Sequence, residues 1–253
     1  MVDSNWKTVV DGFVSDHLDL ATPGGSFDRC NEVSRELVER LAAADVEAQV
    51  VRLVGFRGGA TRAHRAWRRI GSGSHWVHYA VAVGNEIVDC TIRQFDPALP
   101  HPYHMPVASV SSLWVEASVL TPAGDVAGPL EPVFAPRIYE EDGCRFYEDG
   151  FVFGAVDEFT DSADWSTGLV ISEWSSYRPG EGNTTRALEW LRERYPKIIA
   201  NGVGSAEIVD GRKVWDTATV YWQHMREKGL VDVLMDDDGI ELDDEDAAPA
   251  PTV

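Results

Sequence analysis

WVHYAVAVGNEIVDCTI, residues 76–92, decides how the first half of the chain folds. Valine and isoleucine dominate both arms, the composition of a half-buried strand. Between the arms stand Gly84 and Asn85, a pair that takes positive φ readily and closes a two-residue hairpin turn. Such a turn pairs Val83 with Glu86 and, counting back, opposes Ala80 to Asp89 and His78 to Thr91. Successive side chains point to opposite faces of a strand, so His78, Ala80 and Asp89 share one face and His75 falls on the other. His78 then lies diagonal to Asp89, within side-chain reach.

Upstream of the hairpin, Val33, Leu37, Leu41 and Ala44 recur at helical spacing behind Cys30, with Ser26 or Asp28 as the expected N-cap. Cys30 therefore opens an amphipathic helix. VEAQVVRLVGF, residues 46–56, reads as a strand ended by Gly55, Gly58 and Gly59, and a loop or short helix follows. A helix N-terminus offers unpaired N–H groups and a partial positive charge, which favour a thiolate. A nucleophilic thiol also needs a base, and the base needs a third group to orient it. Cys30, His78 and Asp89 supply those three roles.

CNEVSRELVERLAAADVEAQVV followed by HYAVAVGNEIVDCTIRQFDP resembles the papain-like and transglutaminase-like superfamily over about residues 20–105. There a Cys starts the central helix, a His begins a strand and an Asp or Asn lies on the next strand. DCT at 89–91 is similar to the D-P-T of that group, and RQFDP resembles its bacterial and phage members. The resemblance implies Cys30 as nucleophile, His78 as base and Asp89 as orienter, with no cofactor and a protein, peptide or small amide as substrate. Water as acceptor makes a hydrolase or deamidase, and an amine makes an acyl transferase. No Gln shortly precedes Cys30, so the backbone N–H of Cys30 carries more of the oxyanion stabilisation.

The second half restarts after a proline-rich stretch, residues 97–136, read as a connector. RFYEDGFVFGAVDEF (145–159) reads as strands around a turn at Asp149 and Gly150, and STGLVISEW (166–174) as a further strand. RPGEGN is a tight turn, TTRALEWLRERYP a helix, KIIANGVG strand-like, TATVYWQHMREKGL a helix stopped at Gly229, and VDVLM a last strand. SEWSSYRPGEGNTTRALEWL and the segments after it resemble the C-terminal half of the GNAT acetyltransferase superfamily, in which a glycine-rich turn cradles acetyl-coenzyme A. Gly180, Gly182 and Asn183 match the turn, Tyr221 the general acid and Glu173 the strand-borne base; Tyr177 departs from the usual Gln or Arg. Glycines that admit phosphate to backbone N–H groups at a helix start give that turn its chemistry.

The expected fold class is α+β, with a papain/transglutaminase-like module over 1–125, a GNAT-like mixed α/β module over 140–242 and a disordered acidic tail over 243–253. Net charge is −20, of which the run from Asp236 to Asp246 contributes eight negative charges. Direct nucleic-acid binding is not expected of such a chain. The run lacks the spacing of a calcium loop. Three widely spaced cysteines, no apolar run long enough to span a bilayer and no basic-then-apolar start give the expectation of reduced thiols, no membrane and a cytoplasmic protein. No metal is expected either: the spacings of His75 with His78 and of His101 with His104, with Cys90 as another ligand, could suggest zinc, but strand parity puts His75 and His78 on opposite faces. Arg57, Arg62, Arg65, Arg68 and Arg69 concentrate positive charge just before the hairpin, as a solvated helix face, a guide for an anionic substrate or a dock for the tail. Two other functions fit the same residues: an acetyl-coenzyme A-dependent N-acetyltransferase whose first module recognises substrate, and a non-enzymatic acidic decoy.

Overall fold

A computed structural model of the chain describes residues 5–161, 166–203, 207–209, 212–214 and 217–242. The fold is mixed α+β, divided into two compact units, Met1–Val133 and Phe134–Val253.

The first unit runs α1 (Asn5–Asp16), α2 (Pro23–Ser26), α3 (Cys30–Ala42), β1 (Gln49–Phe56), α4 (Arg65–Ile70), β2 (Val77–Val83), β3 (Glu86–Asp89), β4 (Tyr103–Pro106), α5 (Val110–Leu113), β5 (Trp114–Leu120) and β6 (Val126–Pro129). Its six strands form an antiparallel sheet in the order β4-β3-β2-β1-β5-β6. The hairpin has the register its turn demands, with Val83 opposite Glu86 and Val81 opposite Val88, and Gly84 at φ +56°. Both faces of the sheet are covered. On one, Val33, Leu37 and Leu41 of α3 pack with Val10 and Phe13 of α1 against Val81, Val83 and Val88. On the other, Leu53, Ala80, Ala82 and Ile87 meet an aromatic cluster of Phe56, Trp76, Phe95 and Trp114. Alternation puts His78 and Asp89 on this aromatic side.

The stretch expected to be a connector carries three strands of the sheet. β4, β5 and β6 all fall within residues 97–136, and the units divide between Val133 and Phe134. β4 and β6 are the two edges of the sheet, and Pro106 and Pro129 are their last residues, where a missing N–H breaks no central ladder. Pro106 and Pro129 therefore mark sheet edges. Asn85 secures the end of the unit, its Nδ2 donating to the Val133 carbonyl at 2.7 Å and its Oδ1 accepting from Val133 N–H at 2.8 Å.

The second unit runs β7 (Arg137–Glu141), β8 (Cys144–Glu148), β9 (Val152–Thr160), β10 (Thr167–Ile171), β11 (Ser175–Ser176), α6 (Asn183–Arg192), β12 (Ile198–Ala200), β13 (Glu207–Val209), β14 (Arg212–Val214), α7 (Thr217–Glu227) and β15 (Val233–Leu234). β7 to β10 form an antiparallel meander, and β12 and β15 add in parallel beyond β10, each reached across a helix. The turn at Asp149 is built by its fully buried carboxylate, whose Oδ1 accepts from the N–H groups of Phe151 and Val152, both at 2.7 Å. Its Oδ2 accepts from Tyr147 Oη at 2.8 Å. The expected disordered tail lies outside the described residues. No described helix is long and apolar enough to cross a membrane.

Candidate active site

Cys30 is the first residue of α3, as its position before the apolar stripe predicts. The cap differs from expectation. Arg29 is the N-cap, at φ −105° and ψ 2°, and no side chain caps the helix. Ser26 is committed elsewhere, its hydroxyl donating to the Thr22 carbonyl at 2.9 Å, and Asp28 is turned into the left-handed region at φ +59°. The Arg29 guanidinium is folded back onto Asp19 at 2.6 Å and the Gly25 carbonyl at 3.2 Å. With no side chain spent on the cap, the first-turn N–H groups keep their attraction for negative charge.

His78 is 0% exposed, and its Nε2–H donates to Asp89 Oδ2 at 2.6 Å, the diagonal pair that strand parity predicts. The other carboxylate oxygen accepts from Thr91 N at 2.8 Å and Thr91 Oγ1 at 3.3 Å. Thr91 thus locks Asp89 while Asp89 orients the imidazole. Nδ1 closes no hydrogen bond of good geometry, and it is the nitrogen left for the Cys30 thiol, which acts on the ring both as hydrogen-bond partner and as charge. Burial alone pulls the imidazole toward its neutral form. The charge and hydrogen bond of Asp89, followed by those of Cys30, outweigh it and raise the pKa from 6.5 to about 10. Aromatic rings fix the ring plane, with Trp114 stacked at 5.3 Å and Phe95 edge-on at 4.9 Å.

Gln94 is the residue that sequence reading missed. Fully buried, it accepts at Oε1 from Asp28 N–H (3.3 Å) and from Trp67 Nε1 (3.0 Å), and donates from Nε2 to the Thr91 carbonyl (3.2 Å). One amide therefore ties the segment before Cys30 to the turn after Asp89. The only signal in the sequence was a polar residue inside the apolar run TIRQF. Gln94→Ala is expected to cost about 1–2 kcal/mol, because it removes the acceptor of two part-buried donors, while the Thr91 carbonyl keeps the backbone N–H of residue 94. Urea unfolding at neutral pH measures this, and alkylation of Cys30 should slow in the same variant.

The other cysteines and histidines do not join the site. Cys90 is buried among the α1 and α3 contacts, and burial, then the charge of Asp89, push its thiol up to about 12. Cys144 is exposed in the second unit. His75 is exposed and lies in a 3-10 turn (Gly73–His75) before β2 begins, so the strand parity expected of it does not apply. His104 pairs with Glu86 at 3.7 Å and tilts against Trp6, while His101 is held below its usual range by burial and then by Arg93. No cluster of three metal-ligating side chains occurs among the described residues.

In the second unit, Gly180 and Gly182 take φ +86° and +73°, and Gly182 is the N-cap of α6. Asn183 is buried, its amide facing Glu181 Oε2 at 3.4 Å and Arg186 Nη2 at 3.2 Å. The Tyr221 hydroxyl is out of water with no well-formed hydrogen bond, beside Thr184 and Trp174; burial pushes its pKa up against the influence of both. Glu173 is exposed. No known family model, curated protein or solved structure matches the chain.

Proposed function

We propose that the first unit is a thiol-dependent amide hydrolase or acyl transferase in which Cys30, His78 and Asp89 act as nucleophile, base and orienter. One observation carries this reading: a fully buried imidazole is fixed through Nε2 to Asp89 at 2.6 Å, leaving Nδ1 for a thiol that opens a helix. With its proton already held by His78, the Cys30 sulfur attacks as thiolate and bonds to the acyl carbon, and the oxyanion forms beside the first-turn N–H groups of α3. Collapse breaks the C–N bond, with the proton on Nδ1 leaving on the amine. Water or a second amine then attacks the thioester and gives its proton to the now neutral His78, and sulfur leaves as the thiolate beside protonated His78. Asp89 holds the ring through both transfers and offsets the positive charge it carries.

The test is a time course with iodoacetamide at pH 6.5, read peptide by peptide by mass spectrometry. Cys30 is expected to be alkylated about tenfold faster than Cys144. This outcome runs against access, since Cys30 is 7% exposed and Cys144 is on the surface. If Cys144 reacts first, the nucleophile assignment is wrong.

A second reading is favoured by the unbonded Tyr221 hydroxyl beside the opening of α6: the second unit holds acetyl-coenzyme A against the Gly180–Asn183 turn and transfers its acetyl group. A rise in the melting temperature with acetyl-coenzyme A, lost in Gly182→Val, is its expected result.

A further inference from the structure

Residues 48–85 contain no Asp or Glu, although 42 residues of the chain are acidic. That stretch includes α4, RAWRRI, in which Arg65, Arg68 and Arg69 stand at i, i+3 and i+4 and so share one helical face. All three are exposed, and none makes a side-chain hydrogen bond or ion pair among the described residues. Several other guanidinium groups are closed by carboxylates: Arg29 by Asp19 and Arg40 by Asp16, both at 2.6 Å, Arg62 by Asp96 at 3.3 Å, Arg137 by Glu148 at 2.9 Å and Arg145 by Glu158 at 2.6 Å. Three open guanidiniums side by side depart from that pattern, in a chain of net charge −20.

α4 is anchored to the segment that carries the thiol. Trp67 donates to Gln94 Oε1 at 3.0 Å, the same oxygen that accepts from Asp28 N–H, and its ring lies 5.9 Å from that of Phe27. The ring of His64, the N-cap of α4, lies 4.5 Å from Phe27. Phe27 is three residues before Cys30.

Resting on the cysteine-enzyme reading, we infer that α4 is a docking ridge for an acidic polypeptide segment, which presents its acyl group to Cys30. Guanidinium forks match carboxylates in geometry as well as charge. Six helical residues span about 9 Å, the length of roughly three residues of extended chain, so the ridge fits two or three acidic side chains. Ile70, 66% exposed at the end of α4, offers an apolar contact beside them. A long polyanion such as nucleic acid would meet the net negative charge of the rest of the molecule.

The test uses the full chain and three methanethiosulfonate reagents, bearing a sulfonate, no charge or a trimethylammonium group, with modification read at Cys30. The neutral reagent reports the nucleophile alone, so failure of the cysteine reading appears there. The ratio of anionic to cationic rates reports the ridge. It is expected to exceed one at low ionic strength and to fall about three- to tenfold in the Arg65→Gln/Arg68→Gln/Arg69→Gln variant or in 0.5 M salt. A glutamate-rich peptide should protect Cys30 from the neutral reagent in the parent and not in the variant, whereas its glutamine counterpart protects neither. An unchanged ratio in the triple variant, with the neutral rate intact, overturns the inference. So does an anionic preference that emerges only after truncation beyond Leu242, because the ridge is then filled by the chain's own acidic end.

Discussion

Replacing Cys30 by alanine is expected to abolish turnover and low-pH labelling while changing unfolding free energy by no more than about 1 kcal/mol. The two effects separate because the thiol contributes chemistry out of proportion to packing. Its side chain is small, it stands at the first position of α3, and alanine is a good helix former there. The covalent route, by contrast, has no substitute nucleophile. Cys90 is next to Asp89 in sequence, yet strand alternation turns it to the opposite face, and its thiol stays protonated near neutrality. Cys144 belongs to the other unit. Cys30→Ser keeps the shape and is expected to lose at least about a thousandfold in rate, since a hydroxyl is far less acidic than a thiol and does not give up its proton beside His78. Fluorescent iodoacetamide at pH 6.5, followed by urea titration of the same samples, checks both halves. An alanine variant that still labels elsewhere at the parent rate, or that fails to fold, contradicts the role given to Cys30.

Local periodicity made part of this site legible. The hairpin register follows from Gly84 and Asn85 with a period of two, and that register sets His78 diagonally across from Asp89. The start of α3 followed from the spacing of Val33, Leu37 and Leu41. Its cap did not. The left-handed turn at Asp28 is held by Gln94, 66 residues away, and no local rule connects those positions. The aromatic clamp on His78 is of the same kind: Trp114 comes from β5, in a stretch whose prolines read as a linker because edge strands tolerate what central strands forbid. In the second unit, the order of helices and strands after the Asp149 turn was legible from pattern except for β11 and the β13–β14 hairpin, whereas the parallel addition of β12 and β15 depends on contacts across the fold.

Asp89→Ala is the substitution with the largest expected cost to the fold, about 3–5 kcal/mol at neutral pH, because it removes the buried ion pair that keeps His78 protonated. It also frees the Thr91 N–H and hydroxyl that the other oxygen holds. The pH dependence distinguishes this cause from simple loss of packing. In the parent, His78 is raised from 6.5 to about 10, so between those values the folded chain binds a proton that the unfolded chain has released. The stabilisation is complete below pH 6.5 and is lost as pH rises through about 10, with a slope of up to roughly 1.4 kcal/mol per pH unit. Without Asp89, burial becomes the dominant influence on the ring and depresses its pKa. The sign then reverses: the variant is expected to lose stability as pH falls below 6.5 and to lack the parent's alkaline decline from this group. Urea titrations of both proteins from pH 5 to pH 10 measure the two slopes. Parallel curves would show that Asp89 supports the fold by some means other than holding a charged His78.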